Sequence, residues 1–156
     1  MICKTGGTRH MEALWQRAEP SQMFRKGGIK MLDRGRVGSI LVVDDEETIG
    51  LGISEILRDE GFEAGYVISG LAAVEAVKRR PYNLVFMDIV MPGMNGLEAF
   101  REIKKERPAT RVVLFTGYFR DAEDVILQGI KEGMIDEFIR KPYFADDIIK
   151  SARKYA

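Results

Sequence analysis

From Ser39 onward the chain alternates two kinds of apolar pattern. Short continuous runs come first: Ser39-Ile40-Leu41-Val42-Val43, Leu84-Val85-Phe86-Met87 and Val112-Val113-Leu114-Phe115. Each is rich in Val, Ile, Leu and Phe and fits a strand buried on both faces of a parallel sheet. These runs predict strands over 39–43, 83–87 and 111–115. Two weaker candidates, 63–67 and 135–139, carry Glu63, Gly65, Asp136 and Glu137, as edge strands can. Between the strands lie segments of helical period. Helix one is predicted over 47–60, with Ile49, Ile53, Ile56 and Leu57 on one face and Gly61 as its stop. Helix two covers 70–79 and ends before Pro81. Helix three covers 96–106 with Leu97, Phe100 and Ile103 inward, and stops before Pro108. Helix four covers 121–131 with Val125, Ile126 and Ile130 inward, and helix five covers 145–155 with Ile148, Ile149, Ala152 and Tyr155.

Strict alternation of strand and helix predicts a single-domain α/β fold, a doubly wound (βα)5 unit with a five-stranded parallel sheet. Strands one, three and four are the apolar ones and belong in the centre. That gives the flavodoxin-like order 2-1-3-4-5 with right-handed crossovers. Ligands in such sheets bind outside the carboxyl ends of the strands, at the switch point between strands one and three. The residues at those ends are therefore the candidates for chemistry. They are Asp44 and Asp45 after strand one, Asp88 after strand three, Thr116 after strand four, and Lys141-Pro142 after strand five. Three carboxylates, a hydroxyl and an ammonium on one patch suit a divalent cation plus a phosphoryl group.

Composition narrows the class without naming a partner. The chain has 156 residues, 46% hydrophobic and 31% charged, which suits one globular domain. Lys/Arg and Asp/Glu balance at 24 each, but unevenly. Residues 1–37 hold 8 basic and 3 acidic groups, leaving 16 and 21 for residues 38–156. A basic leader thus precedes a mildly acidic domain. The leader has glycine pairs at Gly6-Gly7 and Gly27-Gly28 and no sustained period, with a short helix at most over Met11 to Ala18 around Trp15. It reads as a disordered or vector-derived extension, or as a start site upstream of the true one. The competing reading is a basic arm using Arg25, Lys26, Lys30, Arg34 and Arg36 against nucleic acid or a partner. One cysteine, Cys3, excludes an internal disulfide and a cysteine zinc site, and favours a reducing cytoplasm. No apolar stretch approaches the roughly 20 residues that span a bilayer, so no membrane contact is expected. The single histidine, His10, lies in the leader, a poor context for a phosphotransfer histidine.

Four motifs in order resemble the receiver domain of two-component response regulators, the CheY-like family. They are Val43-Asp44-Asp45-Glu46, Met87-Asp88-Ile89-Val90-Met91-Pro92-Gly93-Met94-Asn95-Gly96, Phe115-Thr116-Gly117 and Arg140-Lys141-Pro142-Tyr143. The spacings from Asp45 to Asp88, Thr116 and Lys141 are usual there, and the resemblance covers about residues 38–156. It implies that Asp88 accepts a phosphoryl group from a sensor histidine kinase or phosphotransfer protein. It implies Mg²⁺ held by Asp45, Asp88 and the backbone carbonyl of Val90, with Asp44 acting through water. Lys141 would reach the phosphoryl oxygens, aimed inward by a cis Lys141-Pro142 bond. Thr116 would be the switch hydroxyl and Phe138 the switch aromatic, turning inward when Thr116 moves. The face made by helix four, strand five and helix five would then change its affinity for an unidentified downstream protein, without direct nucleic acid contact. Val90 and Tyr118 stand where family members tune dephosphorylation, and apolar Val90 predicts slow self-hydrolysis. Acidic Asp121, Glu123, Asp124, Asp136 and Glu137 favour a monomer before phosphorylation, with a dimer open afterwards.

The resemblance also implies a signalling switch rather than an enzyme, either a stand-alone receiver or a fragment of a longer regulator. A haloacid-dehalogenase-type phosphohydrolase also uses a strand-end Asp with Mg²⁺, but places a second Asp two residues later, where Val90 stands. A flavin or nucleotide binder lacks its glycine-rich loop, since Asp44-Asp45-Glu46-Glu47 repels phosphate. A receiver that is never phosphorylated would function only as an interaction module, yet every chemical position is filled.

Overall fold

The computed structural model describes residues 37–117, 119–132 and 137–156. The leader, with Cys3, His10, Trp15 and its basic residues, lies outside the described residues, as do Tyr118 and Asp136. Five strands and five helices alternate along the chain. They are β1 (Ser39–Val43), α1 (Glu47–Asp59), β2 (Glu63–Val67), α2 (Gly70–Arg79), β3 (Leu84–Asp88), α3 (Gly96–Glu106), β4 (Arg111–Thr116), α4 (Phe119–Lys131), β5 (Glu137–Arg140) and α5 (Ala145–Tyr155). All pairings are parallel and the order is β2-β1-β3-β4-β5, as the strand compositions predicted.

The continuous apolar runs divide by parity, because successive strand side chains point to opposite faces. Leu41, Val43, Val85, Met87, Val112 and Leu114 face one core, with Ala73, Val74 and Val77 of α2, Phe100 and Ile103 of α3, and Ile126 of α4. Ile40, Val42, Leu84, Phe86, Val113 and Phe115 face the other, with Ile53 and Leu57 of α1 and Ile148 and Ala152 of α5. A strand buried on both sides needs no polar face, which is why the sequence shows runs rather than alternation.

Boundaries follow local chemistry. Gly61 takes a positive φ of 91° and lets the Phe62 amide reach the Leu57 carbonyl at 3.0 Å, closing α1 as predicted. Asn95 caps α3 reciprocally with Glu98: each side chain accepts from the other residue's amide, at 2.9 and 3.0 Å. Two expectations change. β3 and β4 each run one residue further than predicted, so Asp88 and Thr116 are the last strand residues rather than the first loop residues. And α4 starts at Phe119, with Ile130 exposed rather than inward. The buried line of α4 runs through Ile126 and Gly129, and Ile130 is turned about 100° from Gly129.

Candidate functional site

At the carboxyl end of the sheet, β1 and β3 bring their terminal acids together. One carboxylate oxygen from each of Asp44, Asp45 and Asp88 lies within 4.8 Å of the others. Asp44 is fully buried, Asp88 is 7% exposed and Asp45 is open to solvent. Such a set of hard oxygens, mixed in burial, is able to hold a divalent ion that keeps part of its water shell.

Asp44 serves the backbone with one oxygen only. Its Oδ1 accepts from the Glu46 amide at 2.9 Å, fixing the turn into α1. Its Oδ2 is buried with no hydrogen-bond partner among the described residues, and its nearest opposite charge is Lys141 Nζ at 3.6 Å. Helix capping therefore does not account for this acid, and α1 has no side-chain cap at its N-terminus. Burial pushes the Asp44 carboxyl above the usual carboxylate range; the Glu46 hydrogen bond and Lys141 oppose this, while Asp88 and Asp45 add to it. A buried anionic oxygen without a hydrogen-bond donor is what a cation would satisfy.

Lys141 arrives from the end of β5. Its amide donates to the Thr116 carbonyl at 2.7 Å, and its Nζ donates to Asp88 Oδ2 at 2.9 Å. The Lys141-Pro142 bond is cis, as the resemblance implied. Burial pulls the Lys141 ammonium down, but the Asp88 hydrogen bond and the charges of Asp88 and Asp44 outweigh it, and its pKa is raised. Thr116 is buried beside this pair, and its Oγ1 has no hydrogen-bond partner among the described residues. Val90, two residues past Asp88, donates its amide to Asp88 Oδ1 at 3.3 Å and is more than half exposed. Phe138 lies on β5 opposite Leu114 and is 40% exposed, outside the core that its neighbour Ile139 joins. The three predicted acids and the lysine thus meet at one place, with Thr116 ending β4 and its carbonyl accepting the Lys141 amide; Phe138 stands apart on the sheet edge.

Two further residues within the motifs support the site. Gly96 sits under Asp88: a Cβ there would meet the Asp88 carbonyl oxygen at 2.5 Å and Ile89 Cα at 2.8 Å. Its amide donates to the Ile89 carbonyl at 2.8 Å, so α3 starts against the strand that carries Asp88. Tyr143 stacks on Phe115 with ring centroids 4.8 Å apart, and Phe115 stacks on Phe86 at 5.5 Å. Burial pushes the Tyr143 phenol up; Lys141 opposes that, and Asp44, Asp88 and Glu46 reinforce it. The available signal was a large aromatic directly after Lys141-Pro142, at a position whose burial a periodicity argument does not reach.

The family model of the response regulator receiver domain matches residues 40–153. The chain belongs to this family. Receiver domains are the phospho-switches of two-component signalling, and the chain is 33% identical over 116 residues to the chemotaxis protein CheY of Thermotoga maritima, covering 74% of this chain and 94% of that one. It is 34% identical over 115 residues to the sensory transduction protein RegX3 of Mycobacterium tuberculosis, covering 74% of this chain and 49% of RegX3. The chain thus spans about half the length of such curated relatives. Among solved structures, the receiver domain of NtrX from Brucella abortus matches with a TM-score of 0.65 and 37% identity, over 74% of this receiver chain and 95% of that one. No described helix of this receiver is long and apolar enough to cross a membrane.

Proposed function

We propose that this receiver takes a phosphoryl group on Asp88 from a phosphohistidine of a sensor kinase or phosphotransfer protein. The observation that carries the reading is the contact of Lys141 Nζ with Asp88 Oδ2, inside a three-acid cluster that is able to hold a metal. A carboxylate oxygen of Asp88 attacks phosphorus, the phosphorus–nitrogen bond breaks, and the imidazole leaves with a proton, giving an acyl phosphate. Attack of an anion on an anion needs positive charge at the site. Lys141 supplies part of it, exchanging its Asp88 contact for a phosphoryl oxygen. Asp45 and Asp88, with the Val90 carbonyl and with Asp44 through water, would hold Mg²⁺, whose chemistry is to neutralise the phosphoryl oxygens as they approach. The buried Oδ2 of Asp44, with no hydrogen-bond donor among the described residues, supports that fit.

The switch follows from the hydroxyl left without a partner. Thr116 Oγ1 donates to a new phosphoryl oxygen, and the β4–α4 loop moves with it. Phe138, exposed beforehand, turns into the space released. The α4-β5-α5 face then changes affinity for a downstream protein, a shift between two pre-existing states. The protein works as a cytoplasmic phospho-switch within residues 38–156, monomeric until phosphorylated, and residues 1–37 take no part in the chemistry.

Intact mass after incubation with acetyl phosphate and Mg²⁺ tests this. One phosphoryl adduct on the native chain, lost in Asp88→Asn and lost with EDTA, is expected. An unlabelled native chain, or equal labelling of Asp88→Asn, refutes it.

A further inference from the structure

The four residues after β5 hold the lysine of the site, and their far end is tied to α5, where the Phe144 amide donates to Asp147 Oδ2 and the Phe144 carbonyl accepts from the Asp147 amide, both at 3.0 Å. Pro142 and Phe144 are exposed, Phe144 at 77%. The Lys141 stem runs past Gly117, where a Cβ would lie 3.8 Å from its Cδ, so the backbone there offers no side chain to confine it. Two contacts tie the loop down next to the lysine. One is the Lys141 amide on the Thr116 carbonyl at 2.7 Å. The other is the Tyr143 ring on Phe115.

Phe115 is not a remote core residue. It pairs in register with Asp88 across β3 and β4, and its carbonyl accepts the Ile89 amide at 3.1 Å. Phe115 is also held from below by the near-parallel ring of Phe86, 3° from its own plane. The contacts therefore close a circuit: Asp88 to Phe115 through the strand pair, Phe115 to Tyr143 through the rings, Tyr143 to Lys141 through two peptide bonds, and Lys141 back to Asp88 through the ion pair. Rings stacked on a fully buried partner fix a loop more narrowly than an aliphatic contact of equal area, because offset stacking prefers one geometry.

We infer that Tyr143 is a positioning residue for phosphoryl transfer: its ring, referenced to the strand that neighbours Asp88, sets where the Lys141 ammonium stands. The inference rests on the reading of Asp88 as the phosphoacceptor. The ring, not the hydroxyl, carries the role, so Phe serves as well as Tyr at position 143. Release of the ring lets Lys141 drift from Asp88. That slows transfer, since placement errors of about an ångström cost up to a hundredfold. It also removes positive charge from the acid cluster, so cation binding strengthens rather than weakens. Opposite changes in the two readouts separate this role from simple loss of folding, which weakens both.

The test compares the full chain with Tyr143→Leu and Tyr143→Phe, using acetyl phosphate as donor and Mg²⁺ alone as the binding probe. Tyr143→Leu is expected to lower kcat/KM for labelling about tenfold. Its Mg²⁺ affinity is expected to rise about twofold or more. Tyr143→Phe is expected to match the native chain in both. Native labelling rates in Tyr143→Leu overturn the inference, and so does a Tyr143→Phe defect as large as that of Leu. Parallel loss of labelling and Mg²⁺ affinity overturns it as well, because the ring then serves only the core. If Tyr143→Leu does not fold, Tyr143→Met carries the same comparison, and failure of both to fold again assigns the ring to the core. Absence of label on the native chain sinks the reading of Asp88 itself, whereas label on the native chain with an undisturbed Leu variant sinks only the role of Tyr143.

Discussion

Replacing Gly96 by Ala sets two effects of known size against each other. Alanine is favoured over glycine by up to about 1 kcal/mol in a helix, partly through the unfolded chain. Gly96 is the first residue of α3, where that gain is smaller than in a helix interior. Against it stands a methyl group 2.5 Å from the Asp88 carbonyl oxygen, 2.8 Å from Ile89 Cα and 3.2 Å from the Asp88 carbonyl carbon. All three are backbone atoms, so no rotamer change relieves the overlap. The Gly96 amide is also bonded to the Ile89 carbonyl at 2.8 Å, which pins α3 against the strand end. Overpacking of this kind costs about 1–3 kcal/mol and occasionally more. The steric cost exceeds the gain, and a net loss of about 2 kcal/mol is expected. That corresponds to a Tm drop of roughly 6–10 °C for a domain of this size. Gly52→Ala is the matched control: Gly52 lies inside α1 with nothing within 4 Å of a Cβ, so it should gain about 0.5–1 kcal/mol. Urea unfolding of both variants measures the contrast. Since the displaced atoms belong to Asp88, Gly96→Ala should also slow labelling by acetyl phosphate. Stability of Gly96→Ala within about 0.5 kcal/mol of native would refute the steric argument.

The remaining expectations concern the site directly. Burial raises the Asp44 pKa, so the folded state binds a proton more readily than the unfolded chain, and stability falls as pH rises from the unfolded value of 3.8 through the folded one. In metal-free buffer Asp44→Asn should therefore unfold at higher temperature than native at pH 7, with the advantage vanishing toward pH 4; a lower Tm at pH 7 would count against it. Thr116→Val removes a buried hydroxyl that lacks a partner, which costs about 1–3 kcal/mol when left unsatisfied. It should leave the unphosphorylated chain as stable or more so and still permit labelling, while the Phe138 environment, read by aromatic NMR, no longer changes on phosphorylation. Exposed, apolar Val90 cannot orient an attacking water, so the acyl phosphate should persist for minutes or longer after donor removal; decay within seconds would sink that reading.

The sheet order was legible because composition separates central from edge strands. Ile40 to Val43 and Leu84 to Met87 are apolar on both parities, whereas Glu63 and Glu137 betray edges. The carboxyl-end rule then delivered Asp44, Asp45, Asp88, Thr116 and Lys141 to one corner without any contact being known. Ile130 was misplaced because a 3.6-residue period says which residues share a face, not how much of that face another layer covers. Among the α4 residues whose burial is described, Ile126 and Gly129 are the buried ones, and Val125 lies outside that description.

What the pattern could not carry are approaches between backbones and between rings. Gly96 reads in the sequence as the first residue of helix three, yet its necessity comes from the Asp88 carbonyl, eight residues away and brought underneath it by the β3–α3 loop. Tyr143 reads as one more aromatic, yet its partner Phe115 lies 28 residues upstream on β4. Both contacts are consequences of the fold, and neither leaves a hydrophobic period. They bear on function more than most core contacts do, because each fixes one end of the Asp88–Lys141 pair: Gly96 lets the β3 terminus sit where it does, and Tyr143 holds the loop that returns the lysine to it. A site assembled from separate strand ends depends for its geometry on such supports, and a substitution at either can shift the pair while leaving every chemically active side chain intact.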